Sequence, residues 1–129
     1  MTIDLKTLVV RVNDEVFNKR NLEILDEVFS PDYIINDTEK IHMNQGDLKK
    51  RLRGMFSSVP DLHVSVEPLL QEGEMVAWVR THTGTPVNEG IGIPVTGKKM
   101  KWVSCYISRV VDGKVCEEWH SVNPYEVKS

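Results

Sequence analysis

Cysteine is scarce in this chain, with only Cys105 and Cys116 among 129 residues. Two thiols make no disulfide-stapled scaffold, and their spacing matches no metal-binding motif. Long apolar runs are missing too: no stretch approaches the roughly 18–20 residues that span a bilayer. There is no excess of positive charge, since 16 Lys and Arg face 19 Asp and Glu for a net charge of −3. Nucleic acid is therefore excluded as the main partner, because counterion-release binding needs a basic face. The one basic run, Lys49-Lys50-Arg51-Leu52-Arg53, reads as the solvated side of a helix. Asp4 falls early and no small-residue cleavage site follows an apolar block, so the start does not read as a signal peptide. Reduced thiols and a cytoplasmic location are the expectation. The chain also lacks GxSxG, Walker A, GxGxxG and HExxH motifs. His42, His63, His82 and His120 show no ligand spacing. Neither a metal nor a cofactor is expected.

What is present is an ordinary globular composition, 40% hydrophobic and 27% charged, of a length that fits one domain over residues 1–129. Leu5, Leu8, Val9, Val12 and Val16, with Phe17 beside them, follow the 3.6-residue period of a helix of about four turns. Asn21 is placed to cap a short second helix carrying Leu22, Leu25, Val28 and Phe29, which Pro31 should stop. Tyr33-Ile34-Ile35 is a short β-type run. A third helix is predicted from Asn44, with Asp47 at the capping-box position and Leu48, Leu52, Met55 and Phe56 on one side.

From Pro60 the period changes to two. Leu62, Val64 and Val66 alternate with polar residues, and Pro68 marks an edge or a bulge. Glu72-Gly73 is a turn before a strand from Met75 to Thr83. Residues 84–97 hold four glycines and two prolines and read as a loop. Met100–Val111, a hairpin turn at Asp112-Gly113 and a return strand Val115–Val122 complete an α+β pattern. One face of the long strand carries Met100, Trp102, Ser104, Tyr106 and Ser108, and the other Val103, Cys105 and Ile107. A sheet with one solvated face alternates more cleanly than this. Three helices are too few to cover both faces, so a homodimer through the outer sheet face is expected.

Four stretches carry a resemblance: VFNKRNLEILDEVFSPDYI, VPDLHVSVEPLLQEGEMVAWVRTHTG, GIPVTGKKMKW and VVDGKVCEEWHSVN. With THTG, GIPVTGK and DGKVCEEW in that order, the chain resembles the SnoaL-like polyketide cyclases and ester cyclases of the nuclear transport factor two-like superfamily. The resemblance implies a cystatin-like α+β barrel, a cone-shaped curved antiparallel sheet wrapped around the N-terminal helices with an internal apolar pocket. It also implies homodimers. The chain departs from that pattern in a longer TPVNEGIGIPVTG loop, in Asn36 where a histidine is common, and in Asn123 where an acidic residue is common. His120 stands where the anthracycline-type cyclases carry an aspartate general acid/base.

The hairpin register decides which way His120 points. A two-residue turn sets it opposite Cys105, and a three-residue turn with a G1 bulge sets it opposite Ser104. The second register pairs Glu118 with Tyr106 and Cys116 with Ser108. It is preferred here because it gathers Trp102, Ser104, Tyr106, Glu118 and His120 on the pocket face and turns Trp119 outward. His120, with an intrinsic pKa near neutrality, is the candidate proton-transfer residue, and Glu118 its partner. The bland alternative for each is structural: a buried, hydrogen-bonded histidine and a salt-bridged rim carboxylate. Tyr106 and Ser104 are candidate hydrogen-bond donors to substrate. Trp102, Phe17, Met55, Tyr33 and His82 are candidate substrate contacts. Trp78, Arg80 and Asp37 are further possibilities, although an arginine on a strand is usually solvated. The expected ligand is a hydrophobic, carbonyl-bearing small molecule. The expected chemistry is cofactor-independent acid/base cyclisation or isomerisation, with a non-catalytic lipophile-binding protein and a surface interaction module as rivals.

Overall fold

The structure is a computed structural model that describes residues 4–37, 39–89 and 94–121, and the backbone of 122 and 126–127. Helix α1 spans Leu5–Asn13 and runs on through a π-helical turn at Asp14–Asn18. Asp4 caps its start by accepting from the Lys6 and Thr7 backbone N–H groups. A 3₁₀ turn at Leu22–Ile24 leads into the short helix α2, Leu25–Val28. Asn21 occupies the cap position, but its side chain donates to Glu15 Oε2 instead of capping. Strand β1 starts at Phe29 and runs to Asn36, so Pro31 lies inside a strand rather than after a helix. A strand not read from the sequence, β2 at Lys40–Met43, pairs antiparallel with β1. Helix α3, Gln45–Ser58, opens with the expected capping box: Asn44 accepts from the Asp47 N–H and Asp47 from the Asn44 N–H.

Strands β3 (His63–Glu72), β4 (Met75–Gly84), β5 (Met100–Val111) and β6 (Lys114–Val122) form an antiparallel meander. Pro68 meets both of its expectations, since β3 is the edge strand and its register shifts between Pro68 and Leu70. The sheet order is β2-β1-β6-β5-β4-β3, with the two-residue β7 (Glu126–Val127) pairing to β5. One expectation is corrected here. The sheet is mixed rather than antiparallel throughout, because β1 joins β6 in parallel, and it is curved but unclosed. A parallel pair needs a long crossover, and the segment from β2 through β5 supplies it.

The β5–β6 hairpin matches neither register considered from the sequence. Asp112 and Gly113 both have positive φ, 52° and 76°, in a two-residue turn that pairs Val111 with Lys114. Cys116 is then an extra residue on β6, because Val110 pairs with Val115 and Arg109 with Glu117. Beyond that bulge His120 faces Tyr106 and Glu118 faces Ser108. The preferred register was therefore off by two residues, and a shift of two leaves every side chain on its expected face.

Helix α1 packs on β3 and β4, and α3 on β1 and β2. Inward-facing residues of the meander alternate as expected: Val76, Trp78, Arg80 and His82 on β4, and Trp102, Ser104, Ser108 and Val110 on β5, are all buried. Burying Leu5, Val9 and Val12 of α1 and Val16 of the π-helical turn against this face contributes roughly 1.5–3 kcal/mol for each side chain. Cys105, Ile107 and the half-buried Trp119 lie on the opposite face.

Candidate functional site

Between the helices and the concave face lies a cavity of about 110 Å³. Its wall is mostly apolar, from Val9 and Val12 of α1 and Val16 of the π-helical turn to Leu48, Leu52 and Met55 of α3, and it opens beside the exposed Arg51. Tyr33, Trp78, Arg80, Tyr106, Glu118, His120 and Asn13 interrupt this wall with polar atoms. Among the residues singled out from sequence, Phe17, Met55, Tyr33, Tyr106, Glu118 and His120 line the cavity. Trp102, Ser104 and His82 do not. His82 stacks on Trp102 with ring centroids 4.9 Å apart and meets the Phe17 edge, one layer away from the cavity. Burial, with the nearby Arg80 charge, pushes its pKa down to about 3, so it is neutral at physiological pH. Ser104 is buried opposite Arg80 on the neighbouring strand.

Glu118 is 6% exposed and both of its carboxylate oxygens are engaged. Tyr33 Oη donates to Oε1 at 2.5 Å, and Ser108 Oγ donates to Oε2. Ser108 in turn accepts from Trp78 Nε1 at 2.8 Å. Burial pushes the Glu118 carboxyl above the usual range, against the two hydroxyl donors and the Arg80 charge, which favour the ionised form. Burial and the adjacent carboxylate hold the Tyr33 phenol well above its ordinary value. The partnership expected between Glu118 and His120 is absent from this network.

His120 meets a different carboxylate. Its Nε2 lies 3.5 Å from Asp37 Oδ1, on the short segment after β1. Its Nδ1 is buried and has no hydrogen-bond partner among the described residues. Burial lowers the pKa of the ring, Arg51 and Arg80 lower it further, and Asp37 opposes them, so the imidazole is neutral near pH 7. Its ring centroid lies 5.3 Å from that of Tyr106, which stacks on Trp78 at 4.5 Å.

Arg80 and Asn13 are the site residues that sequence reasoning undervalued or missed. Arg80 is 8% exposed rather than solvated. Its Nε donates to Asn13 Oδ1 at 2.8 Å and its Nη1 to the Tyr106 hydroxyl at 3.1 Å, while its guanidinium lies over the Phe17, Tyr106 and Trp78 rings. Asn13 is fixed by its own donation to the Val9 carbonyl one turn earlier at 2.7 Å. The available signal was positional: Arg80 shares the inward parity of Val76 and Trp78, and Asn13 falls on the apolar stripe of α1. Asn36, where the resemblance suggested a histidine, donates to Glu117 Oε2 and the Glu118 carbonyl, tying β1 to β6. Asn123 lies outside the described residues. Among those residues no cluster of three or more His, Cys, Asp or Glu side chains is placed to hold a metal, and no helix is long and apolar enough to cross a membrane.

Comparison with known proteins places this geometry in a family. A family model described as SnoaL-like polyketide cyclase matches residues 7–128. No curated protein matches the chain. Among solved structures, a candidate polyketide cyclase from Acidithiobacillus ferrooxidans is similar at 21% identity and a TM-score of 0.78, covering 95% of this chain and 92% of that one. AclR from Streptomyces galilaeus, a candidate hydroxylase, is similar at 27% identity and a TM-score of 0.76, covering 95% and 81%. IdmH from Streptomyces antibioticus, a candidate polyketide cyclase, is similar at 25% identity and a TM-score of 0.71, covering 89% and 90%.

Proposed function

The chain belongs to the SnoaL-like polyketide cyclase family, and from that premise we propose that its cavity binds a compact, carbonyl-bearing small molecule and moves a proton on it without a cofactor. The observation that carries this reading is His120, a residue of the cavity wall whose buried Nδ1 has no hydrogen-bond partner among the described residues. Asp37, facing Nε2, favours the proton on that nitrogen and leaves Nδ1 as a bare lone pair. A neutral imidazole so arranged is a general base ready for a C–H acidified by an adjacent carbonyl. His120 takes the proton, Asp37 orients the ring, and the Tyr106 hydroxyl donates to the oxygen on which charge develops. Glu118, clamped by Tyr33 and Ser108, fixes the wall beside the base rather than making a direct contact to His120. Ring closure or isomerisation is the expected outcome. The related structures are named for more than one chemistry, cyclase and hydroxylase, so the site rather than the fold has to choose the reaction.

Cavity size narrows the ligand. About 110 Å³ takes a single ring or a short chain, well below the roughly 300 Å³ at which drug-sized pockets begin. A polycyclic substrate has to leave most of its body outside the mouth beside Arg51 or displace α3. The free thiols of Cys105 and Cys116 support a reducing, cytoplasmic setting. The outer face, with Ile107 43% exposed beside Cys105 and Trp119, supports a homodimer through that face.

Native mass spectrometry of protein from its own host tests the reading, followed by turnover of whatever compound co-purifies. The expected result is a dimer carrying a small molecule that the wild type converts, with His120→Ala slower by about 10²-fold or more. Unchanged turnover in His120→Ala overturns the proton-transfer assignment. A bound compound never converted points to storage or sensing, and a monomer overturns the dimer.

A further inference from the structure

Arg80 presents an unusual balance of charge. Buried arginines are ordinarily paired with a carboxylate, because an unpaired buried cation is costly. Here no carboxylate lies within ion-pair distance of the guanidinium among the described residues. Its hydrogen bonds among the described residues go to two neutral oxygens, Asn13 Oδ1 and Tyr106 Oη, and its guanidinium lies over the Phe17, Trp78 and Tyr106 rings. The one carboxylate among the described residues of the wall, Glu118, is turned elsewhere, with both oxygens taken by Tyr33 and Ser108. Nη2 hydrogen-bonds to no described group, in a side chain that lines the cavity. Tyr106, whose oxygen already accepts from Arg80, has its own O–H left to donate.

We propose that Arg80 and Tyr106 form an anion-binding subsite in the cavity wall, which takes a delocalised oxyanion of the ligand: a carboxylate or the enolate of a 1,3-dicarbonyl group. This deepens the small-molecule reading above and rests on it. Guanidinium N–H groups in a fixed plane suit two-oxygen acceptors, and a low-dielectric wall strengthens such bonds. The aromatic cage holds the guanidinium in place before the ligand arrives, so little ordering is lost on binding. At the mouth, Arg51 carries the same sign of charge, which favours entry of an anion over a cation.

Three ring compounds of nearly equal size serve as probes: cyclopentanecarboxylate, cyclopentane-1,3-dione as its enolate, and the neutral cyclopentanecarboxamide. Each is titrated into the full chain at pH 7 and followed by two-dimensional NMR. At least one anion is expected to bind about tenfold or more tightly than the amide, shifting Tyr106 and Arg80 resonances. Whichever anion binds identifies the carboxylate or the enolate as the preferred source. Arg80→Gln and the milder Tyr106→Phe should each reduce that preference, the first to within about twofold. The comparison in the wild-type protein decides the matter even where Arg80→Gln does not fold. If the amide binds as tightly as both anions, with Tyr33 and Met55 resonances shifting, the anion subsite is refuted and the cavity reading stands. If no probe shifts any cavity resonance, both fall.

Discussion

Replacing Ser108 by Ala tests the polar network behind the site, because the residue is completely buried and connects two other buried groups. Its hydroxyl accepts from Trp78 Nε1 and donates to Glu118 Oε2. Alanine leaves the indole N–H without a partner, at roughly 1–3 kcal/mol, and removes one of two side-chain donors to a carboxylate, at roughly 1.5–3 kcal/mol. Together the loss is about 3–5 kcal/mol, with a ceiling set by Glu118, which can shed its charge by taking up a proton. For a chain of this length that is on the order of 10–20 °C in Tm. Urea denaturation at 25 °C and pH 7, with the m-value unchanged, reads the difference. In a Glu118→Gln background the same substitution should cost about 1 kcal/mol less or better, since no charge is left to solvate. The penalty also depends on pH. Burial raises the native pKa of Glu118 above its ordinary value. Between the unfolded value and that raised one, the folded chain keeps a proton that the unfolded chain has lost. Stability therefore falls as pH rises through this window and is level on either side of it. Removing the Ser108 donor extends the window upward, so the penalty is largest above it and shrinks as Glu118 protonates. A penalty below about 0.5 kcal/mol, or one equal in both backgrounds, refutes the network as described.

Two other substitutions probe the frame and the base. A Cβ at Gly84 would overlap Val59 Cγ1 and sit 3.3 Å from both Asp61 Oδ1 and the Leu62 Cα; because Val59 is fully buried, Gly84→Ala is expected to destabilise by about 1–3 kcal/mol, and an unchanged denaturation midpoint would count against the packing of β4 on the end of α3. Asp37 holds the His120 pKa up against burial, so Asp37→Asn should lower the His120 titration midpoint measured by NMR, and a midpoint that stays or rises would break the pairing.

Local signals in the sequence were read with success where one element supplies all the physics. The Asn44–Asp47 capping box, the helical stripe of α1 and the strict parity of β4 and β5 need no partner to be recognised. Features that depend on distant chain were not legible. The parallel β1–β6 pairing, the four-residue β2 and the buried state of Arg80 are all set by tertiary neighbours. Arg80 in particular contradicts a sound general preference, because the Phe17, Trp78 and Tyr106 rings and the Asn13 amide assemble around it from two helical turns and two strands. Asp37 replaced Glu118 as the neighbour of His120 for a similar reason: the chain leaving β1 passes beside the far end of β6.

The hairpin shows how a single residue decides whether there is a site at all. A two-residue turn carried forward without interruption would set His120 opposite Cys105, which points away from the helices. Every later side chain on β6 would follow it, putting Glu118 and His120 outside and Glu117 and Trp119 inside. Cys116 prevents this by adding one residue to β6, and its thiol lies against the Arg109 carbonyl at 3.6 Å. No glycine at that position advertised the bulge, so turn chemistry alone pointed to the wrong parity. The polar pattern pointed to the right one. Gathering Tyr106, Glu118 and His120 on one face is the arrangement in which each buried polar group finds a partner or a cavity. Burial logic thus constrained the face more firmly than the turn did. The register itself needed the cross-strand contacts of Glu118 with Ser108 and Tyr33, which only the folded chain brings together.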